Sequence, residues 1–273
     1  MRSDSGFTRR VDRAERVARL IVHDPRQALE KTWEALHERR DRPAPPVRGE
    51  PSPRWEQRLH QLLGASWPCA DCAAVEPLWI DIQETLRGSG LQAGRGAYGG
   101  WDDADPGLVR AAWCLTAHLR PLRAVETGVA RGITSRTILE GLARNGHGRL
   151  WSIDLPAPHH PDLKGQVGFV VPDERRGPWT LIEGSSRREL PRLLEQLGSI
   201  DLFVHDSLHS ERNIRFELER AWPFVRAGGA VLADDVHRNA GFQTWLEQAA
   251  SAHSVVCLPD DGRALFAVVI KRG

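Results

Sequence analysis

Three carboxylates and a histidine in the second half of the chain have the types and the spacing to handle a hydroxyl group. The apolar run at 201–206 ends in Asp206, and the run at 230–235 ends in Asp234 and Asp235. Acids gathered at the carboxyl ends of parallel strands repel one another unless a proton or a cation stands between them. An all-oxygen set suits a hard divalent ion such as Mg²⁺, with Mn²⁺ or Ca²⁺ as substitutes, because such an ion keeps positions open for substrate oxygens. His209 follows in the sequence Asp206-Ser207-Leu208-His209. An imidazole near its ordinary pKa can take the proton of a hydroxyl acidified by a cation, so His209 is the candidate general base. The plainer alternative makes Asp235 a turn cap, Asp206 and Asp234 solvent or cofactor ligands, and His209 a polar loop residue. His205 points to the other face of its strand, in a packing or supporting role, and His237 and Asn239 fall on the substrate side.

Upstream lies a second constellation. The strand Arg123-Ala124-Val125 runs into Glu126-Thr127-Gly128-Val129-Ala130-Arg131-Gly132, an E-x-G-x-x-x-G pattern, and then into the helix ITSRTILEGLARN. Gly128 lets the backbone turn sharply at the strand end, and Gly132 lets the helix start close by, leaving bare backbone for a ligand. The next strand, RLWSID, ends in Asp154, where a carboxylate can accept hydrogen bonds from both hydroxyls of a ribose. A dinucleotide site would carry its second glycine two residues after the first, and Ala130 stands there instead, which disfavours NAD.

An early glycine preceded by an acid, with a second acid closing the next strand, resembles the class I S-adenosylmethionine (SAM) dependent methyltransferases. The resemblance implies a Rossmann-like α/β fold, with a mostly parallel seven-stranded sheet and helices on both faces. It implies that Glu126 lies by the methionine amino group, that Gly128 and Gly132 frame the loop, that Thr134 or Ser135 touches the carboxylate and that Asp154 holds the ribose. Gly184-Ser185-Ser186 is similar to the segment that metal-dependent O-methyltransferases of the catechol type place beside adenine, although Ser186 is equally suited to cap the following helix. The catechol type has a lysine where His209 stands and an Asn where Asp235 stands. Both departures resemble the metal-dependent sugar O-methyltransferases that decorate macrolide antibiotics. The expected site is therefore His209 as base, Glu126, Thr127, Gly128, Gly132, Thr134, Ser135, Asp154, Ser185, Ser186 and Asp206 at the cofactor, and Asp206, Asp234 and Asp235 at Mg²⁺ or Mn²⁺. The implied reaction is O-methylation of a small-molecule hydroxyl acceptor, sugar or natural-product-like. A metal-independent methyltransferase and a non-catalytic SAM-binding regulator are the competing readings.

The elements that must carry these residues are legible as alternation. Strands are expected at 123–127, 149–154, 179–183, 201–206 and 230–235, with a final pair near 254–258 and 264–270, and helices at 133–145, 187–197, 211–224 and 241–250. Ahead of them, 1–50 reads as an amphipathic helix over 8–40 plus a linker with five prolines in 42–53, 51–105 as a helical extension or lid, and 106–273 as the methyltransferase domain. The stretch 54–90 reads as helical, 94–106 as a turn-rich loop, and 155–179, which contains His159 and His160, as a lid over the cofactor. Lys+Arg 37 against Asp+Glu 36 gives no field to hold a polyanion, so nucleic acid is not an expected partner. Cys69 and Cys72 form one CxxC. No second CxxC or His pair follows at finger-like spacing, so it is not read as a metal site. A charged N-terminus and the absence of a long apolar run point to a cytoplasmic protein without membrane contact; a homo-oligomer is left open.

Overall fold

A computed structural model of the chain describes residues 25, 41–43, 51–94, 96–103, 105–155, 161–249, 252–259, 262 and 264–273. The expected helix over 8–40, most of the proline-rich linker, and His159 and His160 lie outside the described residues. Seven strands, β1 (Arg123–Thr127), β2 (Arg149–Asp154), β3 (Trp179–Glu183), β4 (Ile200–His205), β5 (Val225–Ala233), β6 (Ala252–Cys257) and β7 (Phe266–Lys271), form one sheet in the order β3-β2-β1-β4-β5-β7-β6. The first five run parallel, and β7 inserts antiparallel between β5 and β6.

The central strands are apolar on both faces because helices cover both. On β4, Leu202 and Val204 share a core with Ala124 of β1, Leu232 of β5, and Leu108, Leu139 and Leu142. Phe203, between them, packs the other way against Leu194, Leu218 and Trp245. The first layer consists of α1 (Trp55–Leu63), α4 (Pro106–Leu119) and α5 (Ile133–Asn145), and the second of α7 (Ser186–Leu197), α8 (Glu211–Ala221) and α9 (Gly241–Gln248). Trp55 buries in the first layer edge-on to Phe266, with ring centroids 5.1 Å apart. A further pair of short chain contacts, Ser52 N to Val256 O and Leu258 N to Ser52 O, lays the start of this region along the outer strand β6.

The stretch 54–90 is not one helix but three: α1, α2 (Ala70–Ala73) and α3 (Val75–Gly88). Gly64, at φ 67°, caps α1 in the left-handed conformation. Strand β4 stops at His205 and β5 at Ala233, so the acids stand one residue past the strand ends. Each still donates one last ladder hydrogen bond, Asp206 N to Thr127 O and Asp234 N to His205 O, both 2.9 Å. Within the long connection between β2 and β3, α6 (Pro161–Lys164) leads into a turn that docks on the glycine loop through Gly168 N to Ala130 O (2.9 Å) and Val170 N to Arg131 O (3.0 Å). Among the described residues no helix is long and apolar enough to cross a membrane.

Candidate active site at the carboxyl rim of the sheet

Register gathers the site. Thr127 pairs with both Ile153 and His205, and His205 pairs with Ala233. The next residue on each chain, Gly128, Asp154, Asp206 and Asp234, therefore stands at one level on the carboxyl rim, where open α/β sheets bind ligands. Gly128 is obligatory there. Its φ is +85°, and a Cβ would lie 1.9 Å from the carbonyl oxygen of Asp206. Gly132 is obligatory for a reason other than the expected one. A Cβ would meet Gly168 Cα at 2.8 Å, so the space it leaves is filled by the docked turn rather than by a ligand. Asp154 Oδ2 accepts from Val129 N (2.6 Å) and Ala130 N (2.9 Å), which holds the glycine loop against β2.

Glu126 is completely buried. Its Oε2 accepts from Ser135 Oγ (2.6 Å) and Ser152 Oγ (2.7 Å), whereas Oε1 has no hydrogen-bond partner. Burial pushes this carboxyl up to about 7 against the pull of the two serines. A buried acceptor left open beside a glycine turn is a place for an ammonium or N–H donor. Ser135 is thus a support for Glu126, and Thr134 is buried beside it. Thr127 turns inward, its Oγ1 2.5 Å from Glu217 Oε2. Ser185, not Ser186, holds the N-cap position of α7, and it makes no capping bond through its side chain; its Oγ is buried without a partner.

Asp206, His209 and Asp234 bring one oxygen or ring nitrogen each to within 4.8 Å of one another. His209 Nε2 faces Asp206 Oδ1 at 3.8 Å and Asp234 Oδ2 at 4.0 Å. Its Nδ1 lies 2.8 Å from Asp235 Oδ2. Burial lowers the pKa of His209, partly countered by Asp235, which favours the neutral imidazole. With the proton assigned to Nδ1 by its contact with Asp235, Nε2 carries the lone pair into the rim. Asp206 and Asp234 are pushed well above the carboxylate range, first by burial and then by the charges of Asp234 on Asp206 and of Asp235 and Asp105 on Asp234. Asp235 is not gathered with them. Its φ is 53°, and its carboxylate turns to His209 and to Arg238 Nη1 (2.9 Å), which together outweigh burial and lower its pKa.

Sequence reasoning missed Glu217, a fully buried acid under the rim. It accepts from Thr127, from Ser207 Oγ (2.8 Å) and from Asn213 Nδ2 (2.9 Å), and meets His205 Nδ1 at 2.5 Å. Burial would raise its pKa, but the His205 charge and these donors bring it down to about 2. The signal was a Glu set in the apolar stripe of α8 with Ile214, Leu218 and Ala221. Asn239 is buried, and its Nδ2 donates to His209 O at 2.7 Å. His237 Nδ1 accepts from Leu265 N at 3.1 Å. Arg131, also missed, is buried and binds Asp103 Oδ2 (2.6 Å), Gln92 O (2.7 Å), Ala97 O (2.9 Å) and Gln166 Oε1 (2.9 Å), tying both flanking loops to the glycine turn.

The strand order with its antiparallel β7, the rim register and the acid-glycine turn together define a class I methyltransferase fold. Residues 125–236 match the model of a family described as a methyltransferase domain. Solved structures agree on the fold. The chain is 17% identical to the O-methyltransferase TomG from Streptomyces achromogenes, involved in tomaymycin synthesis and solved with SAM, covering 71% of this chain and 89% of TomG (TM-score 0.52). It is 14% identical to an O-methyltransferase from Bacillus cereus solved with S-adenosylhomocysteine (SAH), covering 80% and 97% (TM-score 0.51). It is 13% identical to the SAH-bound methyltransferase PaMTH1 of Podospora anserina, covering 84% and 100% (TM-score 0.55). No curated protein sequence matches the chain.

Proposed function

We propose that the protein transfers the methyl group of SAM to a hydroxyl of a small molecule, sugar or natural-product-like, with a divalent cation at the rim. The observation that carries the reading is adjacency: the glycine turn and the acid–histidine group meet so closely that Gly128 admits no Cβ against Asp206. A donor on the turn and an acceptor oxygen at the acids would then be neighbours, and holding two reactants in line contributes about 7 to 11 kcal/mol to such transfers. Glu126 Oε1 would receive the ammonium of SAM, and Asp154 would face the ribose. TomG and the B. cereus protein, solved with SAM and SAH, support the cofactor.

The donor set fits a hard cation. Asp234 Oδ1 and His209 Nε2 are buried without hydrogen-bond partners, and both aspartates are destabilised as anions. Asp206 and Asp234 would hold the ion, which when bound would acidify the acceptor hydroxyl. Asp235 is better suited to orient His209 than to join them. His209 Nε2 takes the acceptor proton, Asp235 steadies the imidazolium that results, and Asn239 and Glu217 fix the loop on which His209 sits. A second reading, without metal, rests on the two buried carboxyls lying together with both pushed above the carboxylate range, since one shared proton also relieves their repulsion.

The test is methyl transfer from SAM to a panel of hydroxylated sugars and phenols, followed by mass spectrometry with added Mg²⁺ or with chelator. Turnover that falls in chelator and returns with Mg²⁺ is expected. Undiminished turnover in chelator would sink the cation and leave the second reading.

A further inference from the structure

The CxxC set aside on sequence spacing has partners in space. His60, near the end of α1, Cys69, the residue before α2, Cys72, within α2, and His118, in the last turn of α4, bring one ligand atom each to within 4.8 Å of one another. Cys72 Sγ lies 3.2 Å from His60 Nε2, and Cys69 Sγ lies 3.4 Å from His118 Nε2. A tetrahedral zinc ion with ordinary Zn–S and Zn–N lengths needs sulfur-to-nitrogen edges of about 3.6 Å.

The imidazoles are prepared as ligands. His60 is fully buried, and its Nδ1 lies 2.6 Å from the carbonyl oxygen of Glu56, which fixes the proton there and leaves the Nε2 lone pair facing the sulfurs. Glu56 is itself held by Arg110 Nε at 3.0 Å. Burial lowers the pKa of His118, favouring its neutral, metal-binding form. The thiol of Cys72 is pushed up by Cys114, whose sulfur lies beside it, and by burial, a cost that a bound cation removes.

We propose that His60 Nε2, Cys69 Sγ, Cys72 Sγ and His118 Nε2 form a tetrahedral zinc site that fastens α1 and α2 to α4. Two sulfurs and two imidazole nitrogens select zinc over the hard cations suited to the rim. Four protein ligands close the coordination sphere, which makes the site structural rather than catalytic. Binding replaces the two thiol protons, which leave to solvent, so that two thiolates and two neutral imidazoles hold Zn²⁺. Cys114 stays a thiol behind Cys72 and positions it. Finger-like sequence spacing could not show this site because one histidine precedes the CxxC and the other follows it by more than forty residues.

The experiment is metal analysis of the purified full-length protein, with cobalt reconstitution and thiol mass spectrometry. About one zinc per chain is expected after exhaustive dialysis, unchanged in Asp206→Ala/Asp234→Ala and reduced at least ~10-fold in Cys69→Ser and in His118→Ala. Cobalt in place of zinc should give tetrahedral d–d bands with thiolate charge-transfer absorption in the wild type, a readout that survives poor folding of the variants. Removing the metal should lower Tm by at least ~5 °C. A chain that retains no zinc and gives no tetrahedral cobalt spectrum, a Cys72–Cys114 disulfide in the intact mass, or a coloured iron cluster would each overturn the proposal.

Discussion

The rim group of Asp206, His209 and Asp234 and the buried group of His60, Cys69, Cys72 and His118 are built in opposite ways. The rim group draws its residues from the ends of two adjacent strands, where the sheet register fixes their level before any side chain is placed. The second draws from three helical segments whose relative placement depends on packing alone. The rim is all oxygen apart from one imidazole, and its two aspartates are crowded against each other. The other is sulfur and nitrogen and closed by its own ligands. A sheet edge suits chemistry because its geometry does not need the ligand, whereas a helical junction suits a staple because the ligand completes it.

The sharpest way to break this contrast is to cut one group and watch the other. Asp206→Ala with Asp234→Ala should lower methyl transfer by about 10³-fold or more while leaving SAH affinity, measured by calorimetry, within about 3-fold of wild type. Turnover within 10-fold of wild type would mean that the rim acids only organise solvent. His209→Ala removes the proposed base and should cost about 10²-fold in kcat, with the alkaline plateau recovered in part by small exogenous amines. Cys69→Ser, by contrast, should lower Tm by at least ~5 °C and leave turnover at low temperature within about 3-fold. If it instead removed activity without changing Tm, the two groups would have to be treated as one site.

A smaller effect separates the two buried acids of the rim by pH. Glu217 is held at about 2, below the usual 4.5, so its contribution to stability is fully present above pH 4.5 and is lost as pH falls towards 2. Glu126 runs the other way: raised to about 7, it favours folding below pH 4.5, and that advantage disappears as pH rises through 7. Urea unfolding of Glu217→Gln should therefore show a flatter acid limb between pH 5 and 2, by about 2 to 3 kcal/mol, and an unchanged slope between pH 5 and 7. An acid limb as steep as in the wild type would assign that pH dependence to other groups.

What could be read from the sequence follows the same division. The strands Arg123–Thr127, Arg149–Asp154 and Trp179–Glu183 fall where alternation placed them, because the hydrophobic period and the flanking glycines are local. Asp206, His209 and Asp234 were legible because a strand end is a sequence feature. The turn of the Asp235 carboxylate towards His209 and Arg238 was not legible, because a φ of 53° in a non-glycine residue leaves no mark in the residue types around it. Gly132 was recognised as necessary, but its neighbour, Gly168, lies on a loop whose docking no local pattern announces. Glu217, Arg131 and the CxxC partners share one cause of invisibility: each acts through residues distant in the chain, and only packing brings them together.

The central claim is that the acid-glycine turn is a SAM site, with Glu126 Oε1 as the acceptor for the cofactor's ammonium group. Calorimetric titration of SAH into the wild type and into Glu126→Gln, with NAD as competitor, tests it most directly. The expected result is SAH binding at one site per chain, undisturbed by NAD and weakened about 10-fold or more by Glu126→Gln. Absence of SAH binding to the wild type, displacement of SAH by NAD, or equal affinity in Glu126→Gln would contradict it.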